Sequence, residues 1–393
     1  MASSDPMRSR RRFGSLRRLG SGRFQASYSG PDGERYVAPA TFATRVEAER
    51  WLAGIEIEIV RGPWRDPALG QASLSWWAGE WLAGSSELKE KTVEGYESIL
   101  SNHVIRAFGE VAVRDIDYLA VRRFIAELRA KGLSAKTVSN IREVLHLVLQ
   151  CATLAGAIPA NPVVNVAVGR FARRELTVLD TEQIRRLADA IAEPAMRRGG
   201  GEHRRSHYPE YSLLVRLDAW TGLRAGEIGA LRRGRIDLAG RRVHVAESVT
   251  EVHGKLVYGP TKTYERRSAS LLPALVADLE QHLATIDDDP DTLVFRAPNG
   301  GPLRHKTFYS RHFKPAVVAA GLPPALRFHD LRHSFAGLLI ATGAHPRAIM
   351  ERMGHSSITV TLDTYGHLLP RIDEKLTAEL DELYRRGVVS GCD

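Results

Sequence analysis

The spacing of apolar positions changes along the chain, and each change marks a different kind of element. Two short alternating runs, 22–29 and 35–42, flank Gly30-Pro31-Asp32-Gly33, which supplies turn geometry and breaks the backbone hydrogen bonding. They predict a β-hairpin. After Thr44, residues Val46, Ala48, Trp51, Leu52, Ile55 and Ile59 recur mostly three and four apart, which predicts a helix whose apolar face covers the hairpin. Pro63 and Pro67 stop that helix, because each lacks an amide and restricts the residue before it, so a linker follows. From 75 to about 165 the spacing is helical throughout, with segments at 76–83, 92–108, 119–129 and 135–155 and an end at Ile158-Pro159-Ala160-Asn161-Pro162. This predicts an independent helical bundle and a boundary at 165–175. The remainder mixes helices with strands at 242–249, 255–258, 268–272 and 293–295, and forms the largest domain. After Pro370, Ile372, Leu376, Leu380 and Leu383 predict an amphipathic terminal helix.

Composition narrows the classes. With 44% hydrophobic and 26% charged residues in 393, the chain is an ordinary globular one and neither disordered nor fibrous. Two cysteines, Cys151 and Cys392, stand far apart with no metal-spaced partner, which excludes a disulfide framework and a zinc knuckle. No apolar run approaches the ~20 residues of a membrane span and no secretory signal is visible, so the expectation is a soluble, cytoplasmic protein. The formal charge is +9, and seven arginines (Arg8, Arg10, Arg11, Arg12, Arg17, Arg18 and Arg23) face the single acid Asp5 in the first 23 residues. A basic arm of this kind favours a polyanionic partner. A second basic stretch, 197–207, reads as a solvated surface loop.

Four polar islands interrupt the apolar helices of the last domain: Thr221-Gly222-Leu223-Arg224-Ala225-Gly226-Glu227, Gly259-Pro260-Thr261-Lys262, His329-Asp330-Leu331-Arg332-His333 and Met353-Gly354-His355. A fifth, Thr361 to His367, contains Tyr365. Singly, each has a plain explanation: Glu227 can pair with Arg224 on a helix surface, and His329 with His333 could hold a metal, although no third ligand is evident. Together they form an inventory for phosphoryl chemistry. Guanidinium forks match phosphate oxygens, so Arg224 and Arg332 can clamp a phosphodiester and neutralise its transition state. Tyr365, with an ordinary pKa of about 10, needs a proton acceptor or a cationic site to attack, which His329 or the arginine field can supply. An alkoxide leaving from DNA needs a proton donor opposite, and Lys262, read on a Gly-Pro hairpin tip, can supply it.

On these residues the sequence resembles the tyrosine recombinases, and among them the phage-type integrases, over nearly its whole length. Members carry an Arg in a Thr-Gly-x-Arg-x-x-Glu context, a Lys on a β-hairpin, a His-x-x-Arg box, a Leu-Gly-His box and a tyrosine shortly after it. Arg224, Lys262, His329 with Arg332, His355 and Tyr365 match in order. Met353 stands where leucine is commoner, which affects packing rather than chemistry. Lys255 on the same hairpin competes with Lys262 for the lysine role, whereas Tyr258, Tyr264, Tyr309 and Tyr384 follow no Gly-His box.

The resemblance implies a multidomain, mainly helical fold with small β elements: an arm-type DNA-binding module at 1–65, a helical core-binding domain at 72–168 and a mixed α+β catalytic domain at 174–393. Leu16-Arg17-Arg18 would then add a first strand to the hairpin, and the sheet would enter a major groove. Tyr365 would form a 3′-phosphotyrosyl link and release a 5′-hydroxyl, with Glu227 orienting Arg224 and His355 bonding a non-bridging oxygen. Neither a metal nor any other cofactor is implied. The implied partners are double-stranded DNA at core and arm sites, further copies of the chain in a tetramer, a directionality factor and a host DNA-bending protein. Two rivals use related features: a type IB topoisomerase, which acts on one duplex, and a DNA-binding regulator without catalysis.

Overall fold

The structure, a computed structural model, describes residues 13–62, 66–169, 176–193, 208–261, 267–354, 357–366 and 372–389. It divides into two compact units, 1–172 and 173–393.

The first unit opens with an antiparallel sheet in the order β1 (Ser15–Arg18), β2 (Phe24–Ser29), β3 (Arg35–Val37), so the hairpin does gain the additional strand. Leu16 pairs with Ala26 and Tyr28 with Tyr36, and this register turns Ala26 and Tyr28 onto α1 (Arg45–Arg61), where Ala48 and Leu52 bury them. Alternation leaves Ser15, Arg17, Gln25 and Arg35 on the opposite face. Helix α1 begins at a reciprocal cap: Thr44 Oγ1 accepts from the Glu47 amide and Glu47 Oε2 accepts from the Thr44 amide, both at 3.2 Å. It ends at Gly62, whose φ of 85° closes the last turn.

A second cluster in this unit is helical. Helix α2 (Pro67–Gln71) starts with its proline in the first turn, and α3 (Leu74–Ala83) is capped by Ser73. Helices α4 (Glu90–Ile99) and α5 (Ile105–Phe108) are continuous through a π-type turn at Leu100–Val104, which turns Leu100, Val104 and Phe108 inward. Helices α6 (Tyr118–Ala130) and α7 (Ala135–Leu154) are capped by Asp117 and Ser134. Val138, Ile141, Leu145, Val148, Leu149 and Ala152 form one buried stripe of α7, each large side chain contributing roughly 1.5–3 kcal/mol. Arg142 donates to the carbonyls of Val163, Val164 and Val166 at 3.0, 3.2 and 2.8 Å. It ties the following loop to α7.

The second unit contains α8 (Thr181–Ala192), α9 (Pro209–Thr221) and α10 (Ala225–Gly229), then β4 (Ile236–Asp237), β5 (Arg242–Val245), β6 (Glu247–Val252), β7 (Lys255–Pro260) and β8 (Arg267–Ser270). There follow α11 (Pro273–Leu283), α12 (His305–Phe308), α13 (Lys314–Ala319), α14 (His329–Ala341), α15 (Pro346–Met353), α16 (Ile358–Tyr365) and α17 (Ile372–Val389). Strands β4, β5 and β8 make one antiparallel sheet, and β6 with β7 a separate hairpin. The predicted strand at 242–249 is therefore two strands belonging to different sheets. Residues 293–295 form no strand; Val294 donates to the Leu231 carbonyl at 2.9 Å in an isolated pairing. The hairpin turn is also not at Gly259-Pro260. It lies at His253 and Gly254, with φ of 45° and 76°, the positive values a tight hairpin needs, while Pro260 ends β7 opposite Glu247. The core is built on α8, α9, α11, α13 and β5, with Leu187, Leu214, Leu217, Val243, Leu279 and Val317 fully enclosed. On α17, Leu380 and Leu383 are 55% and 61% exposed, so these two positions are not packed on their own domain. Among the described residues no helix is long and apolar enough to cross a membrane.

Candidate active site

Two helices end side by side at this site, each at a glycine with left-handed backbone. Gly222 (φ 63°) closes α9 and Gly354 (φ 61°) closes α15. Neither tolerates a side chain: a Cβ at Gly222 would stand 2.6 Å from Phe335 Cδ1, and one at Gly354 would stand 2.5 Å from Arg267 Cδ. Helix C-termini carry partial negative charge on their unpaired carbonyls. Arg332, 3% exposed on α14, donates to both, through Nη1 to the Gly222 carbonyl and through Nη2 to the Met353 carbonyl.

Arg224 sits at the N-cap of α10, immediately after the α9 turn. Its Nη1 donates to Glu227 Oε1 at 2.9 Å, its Nη2 to the Gly354 carbonyl at 3.1 Å, and its backbone amide to Glu227 Oε2 at 2.8 Å. Glu227 is 3% exposed and accepts a further bond, at 2.6 Å, from Nη2 of Arg267 on β8. Burial pushes the Glu227 carboxyl up, but Arg267, the Arg224 amide and the Arg224 guanidinium outweigh it and hold the group below its ordinary 4.5. Asp218, 1% exposed on α9, goes the other way: burial drives its pKa well above the ordinary 3.8. Among these hydrogen bonds three guanidiniums meet a single carboxylate, Glu227, and the other acceptors are backbone carbonyls. Burial and the neighbouring Arg224 and Arg267 push Arg332 down to about 10, so it stays charged at neutral pH.

Tyr365 ends α16 and is 2% exposed, packed among Phe335, Ala336, Ile340, Ile349 and Met353. Burial, partly offset by Arg332, pushes its phenol up to about 12. The hydroxyl lies 2.7 Å from Nδ1 of His333 on α14. Burial lowers the His333 imidazole below its ordinary 6.5, which leaves it neutral and Nδ1 able to accept the phenol proton. His329, one turn earlier, is exposed at the surface, its ring 4.9 Å from that of His333 at 84°. The protein packed around it, then His333, Arg332 and Arg327, hold it below 6.5 as well.

Arg224, Glu227, Arg332 and Tyr365 are brought together as expected, with His329 at the margin. Lys262 and His355 lie outside the described residues. Lys255 pairs with Val252 beside the hairpin turn, at the far end of β7 from Pro260, the strand end that leads to Lys262. Among the described residues no three His, Cys, Asp or Glu side chains cluster as a metal site requires, and His333 serves Tyr365 instead. Sequence reasoning missed Arg267 and the His333 contact. The signals were faint: Arg267 follows Lys262 by five residues, and His333 was visible only as half of a histidine pair.

A tyrosine beside an imidazole and an arginine cluster is suited to covalent chemistry on an anionic ester. Comparison with known proteins specifies the class. Residues 12–61 match the phage integrase N-terminal domain, 74–129 the phage integrase N-terminal SAM-like domain and 177–371 the phage integrase family. The chain is 34% identical over 387 residues to the putative prophage phiRv2 integrase of Mycobacterium tuberculosis, covering 96% of this chain and 97% of that protein. It is 28% identical to the integrase of Mycobacterium phage D29, with 95% and 98% covered, and 27% identical to the tyrosine recombinase XerC of Alcanivorax borkumensis, with 73% and 86% covered. Its fold matches the Tn1549 transposon integrase in complex with transposon right end DNA (TM-score 0.65, 20% identity, 80% of this chain and 100% of that one). It also matches a lambda integrase tetramer bound to a Holliday junction (TM-score 0.53, 19% identity, 90% and 98%). The chain belongs to the phage integrase family and is a tyrosine recombinase.

Proposed function

We infer that this recombinase integrates or excises a phage or mobile element by cutting and rejoining DNA at specific sites, with Tyr365 as nucleophile. The observation that carries this reading is the 2.7 Å contact between the Tyr365 hydroxyl and His333 Nδ1, next to the buried Arg224 and Arg332 cluster. Tyr365 Oη attacks the scissile phosphorus and its proton passes to the imidazole. The bond from phosphorus to the 5′ oxygen breaks, leaving a 3′-phosphotyrosyl ester and a 5′-hydroxyl whose proton comes from Lys262. The 5′-hydroxyl of a partner strand then attacks the ester and releases Tyr365. One ester replaces another at each step, so no nucleotide hydrolysis is needed. Arg224 and Arg332 hold the non-bridging oxygens, His329 and His355 bond them from the rim, and Glu227 fixes Arg224.

The same reading assigns 1–65 to arm-site DNA, 72–168 to core-site DNA and 174–393 to catalysis, with four copies assembled on paired sites. One apolar cluster within 13–59, one within 69–168 and two within 176–365, together with the three family matches, support that division. The polar face of the N-terminal sheet, with Arg17 and Arg35, suits a groove. A directionality factor and a host bending protein would assist.

The test uses the full chain and a Tyr365→Phe variant, each incubated in EDTA with supercoiled DNA from the element's own genomic neighbourhood and then denatured. Wild type is expected to yield DNA linked to a peptide through Tyr365. The variant is expected to yield none while still binding DNA with a steep salt dependence, roughly 0.9 in logarithmic slope per phosphate contact. Adduct formation by the variant would overturn the nucleophile assignment, and bound wild type that never forms an adduct would overturn strand transfer.

A further inference from the structure

Arg267 is not accounted for by the residues assigned above. It is the first residue of β8, held in register by pairing with Val245, and its side chain is 14% exposed. One nitrogen, Nη2, meets Glu227 Oε2 at 2.6 Å. The other two, Nε and Nη1, are buried without a hydrogen-bond partner. A fixed guanidinium presents five N–H donors, so a buried one that uses a single nitrogen is far from satisfied. If Arg267 served only to neutralise Glu227, a bidentate pairing would use Nε or Nη1 as well.

Its position indicates what the free donors meet. The Arg267 chain lies against the Cα of Gly354, whose carbonyl accepts from Arg224 Nη2, so the two guanidiniums flank one residue. Both also lie near enough to Arg332 to depress its ionisation. Gly354 directly precedes His355, which the family resemblance places on the phosphate. The third guanidinium thus adjoins the place where the anion would sit, with donors to spare beyond its bond to Glu227.

We propose that Arg267 is a third phosphate-binding arginine of the catalytic site, its unpaired Nη1 donating to a non-bridging oxygen of the scissile phosphodiester. The proposal rests on the strand-transfer reading above. In the pentavalent transition state that oxygen gains charge, so the bond from Nη1 strengthens as the reaction proceeds. Glu227 then has two duties: it turns Arg224 from one side and Arg267 from the other, so that both forks face the same group.

The test compares full-length wild type, Arg267→Ala and Arg267→Lys for the initial rate of covalent adduct formation on a nicked duplex carrying the sequence recovered as wild-type adduct. Two versions of the duplex are used, one with the natural scissile phosphate and one with an uncharged methylphosphonate in its place. Arg267→Ala is expected to lose about 10²- to 10³-fold on the phosphate, the range for one lost oxyanion donor, and less than about 10-fold on the methylphosphonate. Arg267→Lys, which keeps the charge but loses the fork, falls between. Equal losses on both duplexes would mean that Arg267 acts only by holding Glu227, and no loss on the phosphate would remove it from the site; either result overturns the proposal. If Arg267→Ala melts below the assay temperature, Arg267→Gln replaces it in the same comparison. Failure of wild type itself to form adduct would count against strand transfer, and is read separately.

Discussion

Replacing Glu227 by Gln is the sharpest test of the electrostatic design. The carboxylate is 3% exposed and accepts three bonds, from Arg224 Nη1, the Arg224 amide and Arg267 Nη2, at 2.9, 2.8 and 2.6 Å. Gln keeps the volume but removes the charge and turns two N–H donors towards groups that are themselves donors. Breaking one partner of a buried pair costs about 3–5 kcal/mol, because the remaining charges stay buried without compensation. For a domain of this size, 1 kcal/mol shifts the melting temperature by about 2–4 °C, so a fall of roughly 10 °C is expected in the transition of the second unit. Scanning calorimetry on the full chain near neutral pH reads it directly. Because folding lowers the Glu227 pKa below 4.5, its stabilisation is complete above that value and is lost as pH falls through the lower folded pKa. The gap between wild type and variant should therefore close towards acid. Added sulfate should raise the variant more than wild type, since the three guanidiniums bind an anion better once the carboxylate that Arg224 and Arg267 share is gone. Melting within about 2 °C of wild type at neutral pH, with no response to sulfate, would refute the account.

His333→Phe removes the acceptor at 2.7 Å from Tyr365, and adduct formation should slow by about 10²-fold, the lower range for a general base. Wild-type rates should fall with acid only below pH 6.5, because the folded imidazole protonates below its ordinary value, and that acid limb should vanish in the variant; an unchanged rate would remove His333 from the chemistry. Arg142→Met forfeits bonds to three carbonyls and should destabilise the first unit by about 3 kcal/mol, seen in urea unfolding. Its DNA-binding salt slope should stay unchanged, and a slope lower by about 0.9 would show that Arg142 contacts phosphate after all.

Local grammar made much of this legible in the sequence. Thr44 and Glu47, three apart ahead of an apolar run, become the reciprocal cap of α1, and Gly222 ahead of Arg224 becomes the left-handed stop that aims the α9 carbonyl. Arg224 with Glu227 is readable because the two are near neighbours in one short helix. Contacts formed across long separations were not readable. Arg267 reaches Glu227 over 40 residues and only because β8 pairs with β5; in sequence it stands in Glu-Arg-Arg-Ser, which reads as a solvated charge run. The His333 contact to Tyr365 spans 32 residues and depends on α16 folding back onto α14. The hairpin tip was misplaced for a related reason. Gly-Pro is a strong turn signal, but His253 and Gly254 both take positive φ, and a two-residue turn fixes the register more tightly than a proline at the strand end.

The way the site holds its positive charge has a functional logic. A buried arginine paired with a carboxylate is stable, but its field is cancelled. Arg332 is held instead by the carbonyls of Gly222 and Met353, dipoles at the ends of two helices that orient a guanidinium and offset its desolvation without removing its charge. The single carboxylate is shared between Arg224 and Arg267, so neither is fully neutralised. Charge stored in this way remains available to an incoming polyanion, and it needs no rearrangement when negative charge builds on the phosphorus. The two glycines are what permit the arrangement. A side chain at Gly222 or Gly354 would displace Phe335 or Arg267 and pull the carbonyl away from the guanidinium it holds. The backbone turn, and not only the charged residues, therefore belongs to the proposed catalytic apparatus.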